Sequence, residues 1–252
     1  METGFRVITA TDVNTYSATK QDDLGALGVT ADGRRYVYVK FGGTATISAG
    51  LLCVGPAAPA NSTGLAITAT GLGAQVTANL VAGSNTLVVT NGVTAVTQDQ
   101  FAGGSLELVT ATDLTYSILI KGNTAAANGG YITVQLDEPI PQGATTLIPG
   151  TDTANLVLSQ YNGVIPSTTG NAPAGVTVNA IPNTASVTNY GWVQCAGKAF
   201  VKATTATIGL GIAQDLSGTA GYVIVTAATT GNIGWAKATA ASNTASVVLN
   251  IR

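Results

Sequence analysis

The run Asp32-Gly33-Arg34-Arg35-Tyr36-Val37-Tyr38-Val39-Lys40-Phe41-Gly42-Gly43 sets the fold class. Side chains alternate along an extended chain, so Tyr36, Tyr38 and Lys40 fall on one face and Val37, Val39 and Phe41 on the other. An Asp-Gly turn precedes the run and a Gly-Gly pair ends it, which predicts one bounded strand over 34–41. Elsewhere in the chain, similar short runs recur at 86–90, 105–110, 115–121, 131–136, 190–195, 206–213, 221–226 and 245–251. Between them lie turn residues: Asn91-Gly92, Lys121-Gly122-Asn123, Asn128-Gly129-Gly130 and Ser217-Gly218. Apolar stripes at helical spacing are nearly absent. The pattern predicts an all-β fold, an antiparallel β-sandwich or barrel, jelly-roll-like, with an extended N-terminal arm.

The arm is residues 1–28, where six charged groups (Glu2, Arg6, Asp12, Lys20, Asp22, Asp23) stand in a chain otherwise poor in them. A first β region spans 29–138. The proline-punctuated stretch 139–182 reads as a connector, since proline excludes central-strand geometry. A second β region, 183–252, stands apart or forms one composite domain with 29–138.

Only 9% of the 252 residues are charged, and mean hydropathy is +0.35. Much of the surface is therefore Thr, Ser, Asn, Gly and Ala. A formal net charge of −2 offers no basic field for a phosphate backbone, so nucleic acid is not an expected partner. Small residues interrupt every apolar run before it reaches a spanning length of about 20, so a membrane is not expected either. The start Met1-Glu2-Thr3-Gly4-Phe5-Arg6 lacks a basic segment leading into an apolar one, and synthesis without a secretory signal is the expectation.

Chemistry has few parts to work with. The chain has no histidine, which removes the usual nucleophile-activating base, histidine metal sites and a near-neutral proton shuttle together. Neighbouring carboxylates Asp22-Asp23 and Asp137-Glu138 point apart in an extended chain and read as solvated turn residues. Gly71-Leu72-Gly73-Ala74 and Gly209-Leu210-Gly211-Ile212 lack the helix and distal acid of a dinucleotide site. Asn61-Ser62-Thr63 is a glycosylation sequon that, without secretion, predicts only a loop. Cys53 and Cys195 read as buried free thiols, with a disulfide joining them as the lesser reading, and Trp192 and Trp235 as core or sheet-packing residues rather than sugar platforms. No catalytic, cofactor or metal residue is assigned, and no enzyme activity is expected. Arg34 and Arg35, beside the Asp-Gly turn, read either as a charged strand edge or as an anchor for an acidic partner surface.

Taken in order, Asp32-Gly33-Arg34-Arg35-Tyr36-Val37-Tyr38-Val39-Lys40 with Gly42-Gly43, Gln100-Phe101-Ala102-Gly103-Gly104-Ser105-Leu106, Leu136-Asp137-Glu138-Pro139-Ile140, Tyr161-Asn162-Gly163-Val164-Ile165 and Tyr190-Gly191-Trp192-Val193-Gln194 resemble the small-residue-rich structural proteins of tailed bacteriophages. The likeness runs from about Gly28 to the C-terminus. It implies a capsid cement or decoration subunit, made in the host cytoplasm and sited on the exterior of the virion head. Such a subunit binds the major capsid protein and itself, as a homotrimer. The arm would then dock on capsid subunits through Phe5, Arg6 and Tyr16. The alternative is an adhesin or receptor-binding protein that presents loops to glycans.

Overall fold

The computed structural model describes residues 6–43, 45–56, 65–66, 83–92, 94–109, 115–141, 153–167, 171–184, 189–204, 211–214, 220–226, 233–237 and 243–251. The fold is all-β, with one five-residue helix among the described residues. Two compact units divide the chain: residues 1–56 with 160–252, and residues 57–159. This is not the sequence-based division, because the stretch 139–182 read as a connector contains three strands, β11 (Thr153–Val157), β12 (Asn162–Pro166) and β13 (Pro173–Thr177). Two of its prolines sit where strands tolerate them: Pro166 ends β12 and Pro173 begins β13.

In the larger unit, β4 (Arg35–Phe41) and the thirteen-residue β14 (Tyr190–Lys202) pair antiparallel, with Trp192 opposite Tyr38. Strand β4 also pairs with β12, β12 with β5 (Leu52–Val54), β5 with β13, and β13 with β14. The five strands close a ring around Val37, Val39, Phe41, Cys53, Val164 and Val193. The β4–β12 pair is parallel, so antiparallel pairing is not universal. Beyond residue 195, β14 pairs with β18 (Thr244–Asn250), β18 with β17 (Gly234–Ala236), β17 with β15 (Gly211–Gln214), and β15 with β16 (Val223–Thr226). A bridge from Ala203 to Val223 closes this second ring on β14, around Val201, Ile212, Val223, Val247 and Leu249.

A single strand serves both rings because its pairing with β4 shifts register between Gln194 and Ala196. Such a bulge bends a strand and re-aims the side chains beyond it. The Gln194 side chain, 3% exposed, donates from Nε2 to the carbonyls of Ala196 at 3.1 Å and Lys198 at 2.7 Å. It thereby supplies a donor to carbonyls at the bend.

The expected arm is instead part of the body. The strand β1 (Arg6–Val7) pairs parallel with β3 (Leu27–Val29), β3 with β4, and β2 (Tyr16–Ser17) with β14. Between β1 and β2, α1 (Ala10–Asn14) is started by a capping box in which Thr9 and Asp12 bond reciprocally. Ile8 and Val13 pack on Tyr36, Tyr38 and Trp192, the outward face of β4 and β14. Gly28 makes this fit possible, since a Cβ there would meet Ile8 Cδ1 at 2.5 Å. Tyr36 and Tyr38 share a face as predicted, but that face is covered by the N-terminal residues.

The smaller unit is a six-stranded sheet, β6 (Leu65–Ala66), β11, β8 (Ser105–Val109), β9 (Thr115–Asn123), β10 (Tyr131–Leu136) and β7 (Thr86–Thr90). Its first and last strands lie near one another, so the sheet curls toward closure. Alternate residues of β8, β10 and β11 are buried, among them Leu106, Leu108, Ile132, Val134 and Leu156. Lys121-Gly122-Asn123, predicted as a turn, is the end of β9. Buried Asn123 accepts from Phe101 N at 2.8 Å and donates to Thr97 O at 3.0 Å, so it fixes a loop rather than reversing the chain.

Gln194→Leu removes the donor that meets two carbonyls at the bend and is expected to cost about 2 kcal/mol, read as a lowered denaturant midpoint. Burial pushes the Cys53 thiol up to about 12 from an ordinary 9.0. Above the ordinary value the unfolded chain loses this proton while the folded chain keeps it, so stability falls as pH rises toward 12. Cys53→Ala is expected to flatten that decline in pH-dependent unfolding curves.

Candidate docking surfaces

The second half of β14 and the residue after it alternate: Ala199, Val201 and Ala203 face the core, and Lys198, Phe200 and Lys202 face outward. Register carries the pattern sideways. Lys198 lies opposite Val248 of β18, which lies opposite Trp235 of β17, while Phe200 lies opposite Ser246. Phe200 is 74% exposed and Trp235 48%. Lys237 lies just past the end of β17, its N–H donating to Ser246 O at 2.7 Å. Lys198, Phe200, Lys202, Lys237 and Ser246 line an open groove of about 1160 Å³ that Arg34 also borders. Asp32, the one carboxylate on that groove among the described residues, is bonded to Arg34 Nε at 2.7 Å. Hydrogen bonds from Thr30 and Arg34 hold its carboxyl below the ordinary range. The surface is cationic with two aromatic anchors.

A second, smaller groove of about 410 Å³ runs between the N-terminal residues and β14. Arg6, Asp12, Tyr16, Gln21, Asp22, Tyr38, Tyr190 and Trp192 line it. Tyr38 stacks with Tyr190 at 6.4 Å and meets Trp192 edge-on at 5.2 Å. Arg6 is paired with Asp22. Asp12 lies below the ordinary carboxyl range because the Thr9 backbone N–H and hydroxyl bond to it. Within this groove Tyr16 is 41% exposed, while on β1 and β3 Val7 is 77% exposed and Leu27 43%.

Of the residues predicted to bind partners, Arg6 and Tyr16 meet at the smaller groove and Arg34 borders the larger. The Arg34 guanidinium lies 5.9 Å from the Tyr36 ring centre. Arg35 is exposed on β4 opposite Ala196 and borders neither groove. Phe5 lies outside the described residues, as do the Asn61-Ser62-Thr63 sequon and Gly71-Leu72-Gly73-Ala74. Cys53 and Cys195 are free, the first buried and the second partly so. Trp192 is a core residue as expected, whereas Trp235 is exposed. Asp22 pairs with Arg6 and Asp23 with Lys20, so these neighbours diverge. Asp137 and Glu138 are exposed at the end of β10. Sequence reading missed Lys198, Phe200, Lys202 and Lys237. The alternation from 198 to 203 was the available signal.

Among the described residues no group of three or more Cys, Asp or Glu is placed to hold a metal. No described helix is long and apolar enough to cross a membrane. Comparison with family models, with curated proteins and with solved structures finds no match to this chain.

Because Phe200 and Trp235 touch the core little, Phe200→Ser and Trp235→Ser are each expected to leave stability within about 0.5 kcal/mol of wild type in chemical denaturation.

Proposed function

We propose that this chain is a non-enzymatic structural protein of a tailed-phage virion, a cement or decoration subunit that binds the outer surface of the head and stabilises it by protein–protein contacts. The observation that carries this reading is that the N-terminal residues expose apolar side chains on three strands, Val7 on β1, Leu27 on β3 and Tyr16 on β2, the last in the groove that Arg6 and Asp22 also line. Protein interfaces are built around exposed apolar and aromatic side chains of this kind. The residues are carried on strands, held by Ile8 and Val13 against the barrel, so little order is lost when they bind. The major capsid protein is the partner that the sequence resemblance names, and the head exterior is the corresponding location. The absence of histidine and the divergent carboxylates favour contact over turnover.

A glycan-binding adhesin is the second reading, favoured by Tyr16 and Tyr190 beside Asp12 and Gln21 in the smaller groove. Sugars stack on aromatic faces and bond to such polar groups. Against it, Trp192 and Tyr38 are buried and offer no free ring face.

Removal of residues 1–28 would strip Ile8 and Val13 from the core, so point substitutions are the cleaner test. Val7→Asp with Leu27→Asp is expected to leave a folded protein whose binding to purified heads falls at least about tenfold, the equivalent of about 1.4 kcal/mol. Undiminished head binding by the folded variant, together with glycan-array binding lost in Tyr16→Ala, would transfer the reading to the adhesin.

A further inference from the structure

Charge is divided between the two units. Residues 57–159 contain six carboxylates, Asp99, Glu107, Asp113, Asp137, Glu138 and Asp152, and one cation, Lys121, for a net charge of −5. The remaining residues contain nine cations and six carboxylates, a net of +3. The two add to the −2 of the whole chain. In a polypeptide with only 22 charged side chains, such a division creates opposed fields on two parts of one molecule.

The positive part is concentrated further. Lys198, Lys202, Lys237 and Arg34 border the larger groove, and the carboxylate there is already bonded to Arg34. Three lysines therefore face outward with no described carboxylate to answer them, beside the exposed Phe200 and Trp235. On the smaller unit, Asp137 and Glu138 are exposed where β10 ends, and the Asp137 N–H donates to the carbonyl of Leu119 at 3.0 Å. Leu119 is itself exposed, so this acidic corner also offers an apolar side chain.

We propose that the outward face of β14, β18 and β17 is a self-assembly surface, and that its occupant is the acidic 57–159 unit of a second copy of this chain. Phe200 and Trp235 supply the apolar anchors and the three lysines meet Asp137 and Glu138. The contact joins two different surfaces, so it is head-to-tail and propagates into a ring or a linear array. It uses none of the exposed N-terminal side chains Val7, Tyr16 and Leu27 and does not rest on the viral reading.

The test is sedimentation velocity of the full chain at about 20 µM, with thermal unfolding as the control for folding. The wild type is expected to associate at about 50 mM salt and to weaken roughly tenfold or more at about 500 mM, as screened ionic contacts do. Lys198→Glu, Lys202→Glu and Lys237→Glu combined are expected to give a folded monomer. Asp137→Lys with Glu138→Lys is expected to do the same. All five changes in one chain restore opposite signs and are expected to restore association. A wild type that stays monomeric at low salt overturns the proposal. So does an oligomer indifferent to salt and to the reversals, or a folded five-fold variant that remains monomeric.

Discussion

The larger unit depends on one strand being allowed to bend. Two β-rings that share a strand need it to leave the first curvature and enter the second without losing its hydrogen bonds. In β14 the extra residue at Cys195 provides the bend, and the Gln194 amide reaches two carbonyls there. Those carbonyls lie in a region where an unmet polar group costs more than a neutral hydrogen bond contributes. Removing the bend would leave β14 straight past Ala196, and the side chains of 199, 201 and 203 would no longer point into the core of the second ring. The outward Lys198, Phe200 and Lys202 owe their shared face to the same bend.

Low charge density shapes what such a surface does. Where most exposed side chains are small and neutral, each lysine acts with little local competition, and exposed aromatics have few charged neighbours. Two faces of the larger unit illustrate different uses of that background. The N-terminal face combines exposed apolar residues with an internal ion pair, Arg6 with Asp22, that is already answered. The β14 face presents lysines beside aromatics.

The strands themselves were readable in proportion to how cleanly one face was buried. The predicted segments 86–90 and 131–136 coincide with β7 and β10, where alternating or continuous apolar residues meet abrupt ends. The expected alternation of Tyr36 and Tyr38 against Val37, Val39 and Phe41 holds as well, although both faces are covered. The charge of the N-terminal residues suggests solvent, whereas buried Ile8 and Val13, together with the pairing of β1, β2 and β3 into the sheet, secure the segment. The prolines at 166 and 173 misled for a related reason: strand ends accept proline, and sequence does not mark where a strand ends. The β14 face as a whole was missed because Lys237 and Trp235 come from a stretch of chain separate from Lys198 and Lys202, and their adjacency is a matter of register. Arg6 and Tyr16 were legible as exposed groups, but their meeting in one groove depends on β1 and β2 pairing with different strands.

Gly55 and Gln160 abut: a Cβ on the glycine would lie 3.0 Å from the Gln160 Cα. Val54 and Ile165 are partners in the pairing of β5 with β12 immediately beyond. The 57–159 unit is thus spliced into what is otherwise a hairpin, entering and leaving through one narrow doorway. A segment joined in this manner behaves as a cassette, free to diverge, to be exchanged for another fold or to be shed, while the host hairpin closes over the gap with a few residues. The same doorway makes this position a natural place to carry foreign cargo.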